Sequence, residues 1–370
     1  MVSLEQSSSK RQPYMARIDF VYSSCSCISF WIKFRSPICK SCIIYFMHRS
    51  LVSCTHFTRR HLSQIRTRES ENLLQRLAEN KELDAEDAKN ELRWMRQSLP
   101  DRDEEKLASL VERRANGEPL QYILGKSRHR RTPLTEGSTD FGPLTLKCRA
   151  PTLIPRPETA EVFGRLASLL SPPESRTPSR PLIVVDLCTG SAPIPLLLRH
   201  HLKDHIRVKG YDFSQPAIEL ARENIGPTGL DIEVNHADIL DESFADTVNS
   251  DMDGRVDLIV SNPPYIPLAE YRELPSSVRD WEDPAALLGD LPGGENGLRF
   301  YERIAELLPT LMSSRKDLEI NGWGGIPRVA VEIGSSQGMD VMSILRAGGM
   351  GHTEVWQDQY DKDRMVVGWD

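Results

Sequence analysis

Cysteine is scarce where a core would be built. Past Cys54 the chain holds only Cys148 and Cys188, two thiols that cannot supply a disulfide framework and that suit a reducing compartment. A long apolar stretch free of charge is also missing. The most apolar run, from Cys25 to Phe46, carries Lys33, Arg35 and Lys40 and is broken by Pro37, which excludes a membrane-spanning helix there. No G-x-G-x-x-G follows a strand-like segment, so a dinucleotide pyrophosphate would lack its usual cradle. Cys25, Cys27, Cys39, Cys42 and Cys54 lie close together near the start, but no His or Asp framework surrounds them and no metal site is assigned.

Acidic residues are nearly absent from the first 68 positions, where Glu5 and Asp19 stand against eleven lysines and arginines, a balance of +9. The whole chain carries −7, so −7 less +9 leaves −16 for Glu69 onward. An Arg- and Ser-rich, acid-poor leader has the composition of an organellar transit peptide; Met47 to Arg68 would serve as one by itself, with Met47 as an alternative start. The acidic body argues against a duplex-binding enzyme, whose affinity would come from neutralising phosphates, and suits a basic protein partner.

What is present divides into four stretches: a leader over 1–68, a helical module over 69–125, a hairpin-bearing connector over 126–157, and an α/β body over 158–370. In the module, apolar residues recur at helical spacing at Leu73, Leu74 and Leu77, at Leu92, Met95 and Leu99, and at Leu107, Leu110 and Val111. Asp84 is placed as an N-cap and Pro100 closes the second helix. In the body, short apolar strands alternate with helical patterns: Leu182–Leu187, Ile206–Asp212, Leu230–His236, Val256–Asn262, Pro327–Ile333, then His352–Asp358 and Arg364–Asp370. That alternation predicts a parallel sheet covered on both faces. The last two strands have no helix between them and are expected to pair antiparallel at one edge. Ser313–Pro327 reads as a surface loop insertion.

In an open α/β sheet, ligands bind outside the carboxyl ends of the strands. The first strand ends in "DLCTGSAP", a glycine-containing turn into a helix with Pro193 in its first turn. The second ends in Asp212, about 20 residues on, where an acid accepts from ribose hydroxyls. Asp238 follows the third, placed to accept from the exocyclic amine of a base. The fourth delivers "SNPPYIP", Ser261 to Pro267. Pro263 and Pro264 fix φ and remove two donors, leaving carbonyls with no ladder to join. Asn262 Oδ1 and the Pro263 carbonyl could then accept both N–H groups of a planar NH₂, with Tyr265 stacking on its flat face.

Strand-end motifs of the D/N-P-P-Y type resemble those of S-adenosylmethionine-dependent methyltransferases that act on planar nitrogens. Over nearly all of Leu107–Asp370 the chain is similar to the HemK/PrmC family of protein-(glutamine-N5) methyltransferases. The likeness rests on "RRANGEPLQYILG", "LIPRPET", "DLCTGS", "SNPPYIP", "WEDPAALLGDLPGGENGLRFYERI", "VAVEIGSSQG" and "YDKDRMVVGW".

The resemblance implies a class I, Rossmann-like methyltransferase sheet of seven strands behind an N-terminal helical domain. It implies S-adenosylmethionine as cofactor, held by Asp186, Cys188, Thr189, Gly190, Ser191, Ala192, Asp212, Asp238, Ile239 and Asn262. The substrate would be the Gly-Gly-Gln loop of a peptide-chain release factor, with Asn262, Pro263, Pro264 and Tyr265 holding the glutamine and Arg156 and Glu158 supporting the wall. With the leader it implies a mitochondrial matrix enzyme, expected to be a monomer. Rival readings are an adenine-N6 nucleic-acid methyltransferase and a catalytically silent binding protein of the same fold. Three positions depart from the family pattern: Cys188 and Ala192 stand where glycine is usual, and "PRPETE" reads "PRPETAE". Because Pro193 follows, Ala192 is expected in an extended conformation with negative φ.

Overall fold

The computed structural model describes residues 14–21, 27–34, 68–99, 103–125, 137–172, 178–290 and 294–370. The chain divides into two units, Met1–Asn72 and Leu73–Asp370. In the first, β1 (Tyr14–Val21) and β2 (Cys27–Phe34) form an antiparallel ribbon with Tyr14 opposite Phe34. Apart from Arg68, the stretch Met47–Arg68, expected from its composition to be a transit peptide, lies outside the described residues, as do Cys25, Cys39, Cys42 and Cys54.

Past α1 (68–77), the helices α2 (Ala85–Ser98), α3 (Glu104–Ala115) and α4 (Leu120–Ile123) make the helical module. Each of the two long ones starts at an aspartate. Asp84 Oδ1 accepts the N–H groups of Glu86 and Asp87, both at 2.8 Å, and Asp103 Oδ1 accepts that of Lys106 at 3.0 Å. These bonds satisfy donors that have no partner inside the helix. The apolar stripes meet in one cluster that contains Leu77, Leu92, Met95, Leu107 and Val111. Inside it Arg114 Nε donates to Glu91 Oε2 at 2.7 Å, with both side chains buried. The module is fastened to the rest of its unit by Glu82, whose Oε1 accepts from the Ser276 hydroxyl and the Ser277 N–H.

The hairpin of β3 (Gly137–Phe141) and β4 (Leu144–Cys148) leads to α5 (Pro157–Leu170). The sheet that follows contains β5 (Leu182–Leu187), β6 (Ile206–Asp212), β7 (Ile232–His236), β8 (Leu258–Ser261), β9 (Val329–Glu332), β10 (His352–Gln357) and β11 (Asp363–Trp369). Their order is β10-β11-β9-β8-β5-β6-β7. The first five in sequence run parallel, while β11 lies antiparallel between β9 and β10. The expected antiparallel pair is there, with β10 at the edge.

Helices cover both faces, so the central strands are buried along their length. On one face α5, α6 (Pro193–Leu202) and α7 (Gln215–Ile225) pack on alternate strand residues such as Val184, Val208 and Val260. On the other, α8 (Phe244–Asp251), α12 (Arg299–Leu311) and α14 (Gly338–Ala347) pack on Val185, Ile259 and Val331. Between β8 and α12 run the short helices α9 (Leu268–Arg272), α10 (Ser276–Arg279) and α11 (Pro284–Leu287).

The surface-loop reading of Ser313–Pro327 is corrected. Its centre is a helix, α13 (Arg315–Ile320), capped by the Ser314 hydroxyl. Leu318 and Trp323 are 3% and 2% exposed in the sheet–helix core, and Trp323 Nε1 donates to the Arg180 carbonyl at 2.9 Å. Two apolar residues in a glycine- and charge-rich stretch gave too weak a period to show this. Among the described residues, no helix is long and apolar enough to cross a membrane.

Candidate active site

The carboxyl ends of β5, β6, β7 and β8 open on one cavity of about 410 Å³, within the usual size range for a small-molecule site, roughly 300–1,000 Å³. Of the residues singled out in the sequence, Cys188, Gly190, Asp212, Asp238, Ile239, Asn262 and Pro264 line it. Parallel pairing of β5 with both β6 and β8 brings these separated positions together.

The turn after β5 is wound left-handed at three places, with φ of +59° at Cys188, +57° at Gly190 and +63° at Ala192. A Cβ added at Gly190 would meet nothing within 4 Å, so the backbone there faces open space. Gly190 N–H donates to Asp212 Oδ2 at 2.7 Å and the Thr189 N–H to the Tyr211 carbonyl at 3.0 Å, which ties the turn to β6. Asp186, Thr189, Ser191 and Ala192 do not line the cavity. Asp186 is fully buried beneath the turn and accepts the Thr189 hydroxyl at 2.6 Å, so these residues shape the turn from below.

The extended conformation expected of Ala192 is overturned: at φ +63°, ψ +36° it is left-handed although proline follows. An L-residue pays about 1–2 kcal/mol for this. The surrounding bonds hold it, with Ala192 N–H on the Thr189 carbonyl and Leu196 N–H on the Ala192 carbonyl. Its methyl is buried in the sheet–helix core and so leaves the cavity clear. Cys188 does project a side chain into the cavity wall. Burial, and after it Asp212 and Asp186, push its thiol well above the ordinary range.

Asp212 closes β6 with both oxygens engaged, Oδ2 by Gly190 N–H and Oδ1 by Ser214 N–H at 2.8 Å. A carboxylate oxygen has two lone pairs, so each keeps one for a ligand hydroxyl. Burial raises its pKa against the pull of those N–H bonds. Asp238 is exposed, with Oδ1 accepting the Leu240 N–H at 2.9 Å.

At the end of β8, the Ser261 hydroxyl donates to the Leu187 carbonyl at 2.6 Å and locks β8 to β5. Asn262, half-buried on the cavity wall, donates from Nδ2 to Thr159 Oγ1 at 3.4 Å. Pro263 and Tyr265 are not on that wall. The Tyr265 carbonyl is held by Gln337 Nε2 at 3.0 Å, and a Cβ at Gly297 would sit 2.0 Å from that same oxygen. Glycine is therefore the residue that lets the "GGENG" loop press on the motif.

Arg156 and Glu158 also stand back from the cavity. Arg156 Nη2 bonds both oxygens of the buried Glu282 at 2.8 Å, bracing the segment whose next residues, Asp283 to Ala286, form a wall. Sequence reasoning missed this partner, together with the wall residues Phe213, Phe244 and Phe300. Phe213 follows Asp212 directly and is 49% exposed; an aromatic residue next to a strand-end acid was the available signal.

Two family models match: the PrmC N-terminal domain over residues 87–125 and the methyltransferase small domain over 174–272. The release factor glutamine methyltransferase of Bacillus cereus is 33% identical over 273 residues, covering 74% of this chain and 83% of that protein. That of Lactococcus lactis is 30% identical over 281 residues, 75% of this chain and 88% of that protein. This chain belongs to the release factor glutamine methyltransferase family. Among solved structures, a methyltransferase described as SAM-dependent from Agrobacterium tumefaciens is 15% identical over 67% of this chain and 74% of its own, with a TM-score of 0.40. TrmN from Thermus thermophilus is 19% identical over 57% and 48%, with a TM-score of 0.33.

As a member of that family the protein is a methyltransferase, and S-adenosylmethionine is its cofactor. The cavity fits such a group. The open space at Gly190 admits close approach, the spare lone pairs of Asp212 suit hydroxyls, and Phe213, Phe244 and Phe300 offer apolar surface for a ring.

Proposed function

We propose that this methyltransferase modifies the side-chain amide nitrogen of the glutamine in the Gly-Gly-Gln loop of a peptide-chain release factor, in the mitochondrial matrix. The observation that carries the reading is the Asn262 side chain on the cavity wall, with one Nδ2 hydrogen directed to Thr159. Oδ1 is thereby left for an N–H of the target. Pro263 and Tyr265 lie off the cavity wall, so in this reading the Pro263 carbonyl takes the second N–H and Tyr265 flanks the flat amide only when the target enters past Asn262.

When bound, the cofactor supplies an electrophilic methyl on a sulfonium. An amide nitrogen is a poor nucleophile because its lone pair is delocalised, so the task of the chain is placement. Two acceptors on one NH₂ group fix its plane and its approach and favour pyramidalisation as the nitrogen attacks. Alignment of this kind lowers a barrier by as much as about 7–11 kcal/mol. The proton leaves to solvent after transfer.

The acidic body supports a basic protein substrate over nucleic acid, and the placement of the Ala192 methyl outside the cavity supports an active enzyme over a silent one. The basic leader supports the mitochondrial address. The test is labelled S-adenosylmethionine with a Gly-Gly-Gln release factor and its Gln→Ala form. Label should enter the first only, and Asn262→Ala should abolish transfer while the protein stays folded. Label entering RNA or DNA in place of the release factor would overturn the substrate. Residues 1–68 fused to a fluorescent reporter should carry it into mitochondria; a cytosolic reporter would overturn the address. Light scattering that shows a single copy in solution checks the expected monomer.

A further inference from the structure

We propose that Asp290 determines specificity for the methyl acceptor, its Oδ2 accepting a main-chain N–H of the polypeptide that carries the target side chain. This rests on the reading that the acceptor is a glutamine in a protein. A polypeptide offers main-chain N–H donors on either side of its target residue. A nucleic acid offers phosphates there, and a carboxylate repels them.

Asp290 lines the cavity, and its two oxygens differ. Oδ1 accepts the Gly297 N–H at 2.7 Å, which holds the carboxyl group beside the start of α12. Oδ2 is out of contact with solvent and has no hydrogen-bond partner among the described residues. A buried charged acceptor without a donor is costly. On the wall of a binding cavity, that donor is one a ligand brings.

The backbone sets Asp290 at the acceptor end of the cavity. Leu288 and Ile266 form a parallel bridge, the Gly289 N–H donates to the Ile266 carbonyl at 3.1 Å, and a Cβ at Gly289 would lie 2.8 Å from Tyr265 Cα. The segment that ends in Asp290 is thus laid on the chain that follows Asn262. Asp212 and Asp238, the acids suited to the cofactor, follow β6 and β7, on the other side of β5 from β8. Asp290 therefore faces the acceptor and not the adenosyl group. In the reading above, both N–H groups of the target amide go to Asn262 and Pro263, so the donor for Oδ2 comes from the main chain. Arg299, the first residue of α12 and two past Gly297, lines the cavity as well, and no ion pair joins it to Asp290 among the described residues. Left apart, the two side chains offer one acceptor and one set of donors, the complement of the N–H and C=O groups of a peptide chain.

Asp290→Asn tests this with almost no change of shape. Its Oδ1 still serves the Gly297 N–H, so Nδ2 takes the place of Oδ2 and a donor replaces the acceptor. With a Gly-Gly-Gln release factor, the KM for that protein should rise about tenfold or more while kcat stays within about threefold. The affinity for S-adenosylmethionine, by calorimetry without acceptor, should stay within about twofold. The source of the N–H is read with release factors assembled by peptide ligation, in which the main-chain amides of Gly, Gly and Gln are replaced one at a time by esters. One ester should raise the KM about tenfold with the wild type and leave it unchanged with Asp290→Asn. An Asp290→Asn enzyme with the wild-type KM for the release factor, or one that responds to all three esters as the wild type does, overturns the proposal. So does a matching fall in S-adenosylmethionine affinity, which would assign Oδ2 to the α-ammonium group of the cofactor. A wild type that labels nucleic acid and not the release factor overturns the substrate and this proposal together; where the release factor is labelled, an unchanged Asp290→Asn overturns this proposal alone.

Discussion

Replacing Glu332 by Gln should remove a pH-dependent loss of stability whose size follows from burial. The carboxyl is raised from an ordinary 4.5 to about 7, so the native state holds this proton more tightly than the unfolded chain does. Below pH 4.5 both states are protonated and the group costs nothing. As the pH rises toward 7 the unfolded chain ionises and the native state does not, and stability falls; above 7 the loss is constant. A displacement of 2.5 units, each worth about 1.36 kcal/mol, comes to about 3.4 kcal/mol, of which about 2.5 kcal/mol falls between pH 5 and pH 8. Asp186, Asp212 and Glu282 are raised as well and act in the same direction, so the wild type alone does not isolate Glu332. The difference between wild type and Glu332→Gln does. A buried glutamine amide adds a cost that does not depend on pH and cancels in the comparison. Urea unfolding of both proteins without cofactor, at pH 5 and pH 8, should show the wild type losing about 2.5 kcal/mol more than the variant. Parallel pH profiles would refute the reasoning.

Gly297→Ala puts a Cβ 2.0 Å from the Tyr265 carbonyl at a position with φ +67°, so it should displace the motif and lower kcat about 100-fold while cofactor affinity by calorimetry changes little. Trp323→Ala should cost about 3–5 kcal/mol in urea unfolding; a surface loop would lose under about 0.5 kcal/mol. Arg114→Met leaves Glu91 buried without its partner and should destabilise the protein by about 3–5 kcal/mol at pH 7, read by the same unfolding assay; an unchanged midpoint would count against the buried pair.

The strand-end logic was legible because it is local. β5 and β6 have the bounds that their apolar runs indicate; β7 starts two residues later than its run, and β8 and β9 start two residues later and end one earlier. The aspartate at the start of α2, Asp84, announced that helix in the same way, while the cap of α3, Asp103, appears only in the structure. The Ser313–Pro327 stretch failed because its two core residues come from a six-residue helix and the turn after it, too short to set up a period. Ala192 failed for a different reason. The preference of a residue before proline is worth only a few kcal/mol, and the tie of its turn to β6 outweighs it.

By itself the sequence determined the chemistry on offer: a glycine turn, an acid after the second strand, and an amide followed by two prolines after the fourth, since each motif is written in consecutive residues. Only the tertiary structure decided which of these groups face the cavity and which lie under it, and that Thr159 and Asn262, 103 positions apart, meet. The physical reason is that strand order and register are set by the packing of whole faces, and such packing joins residues that no spacing along the chain connects.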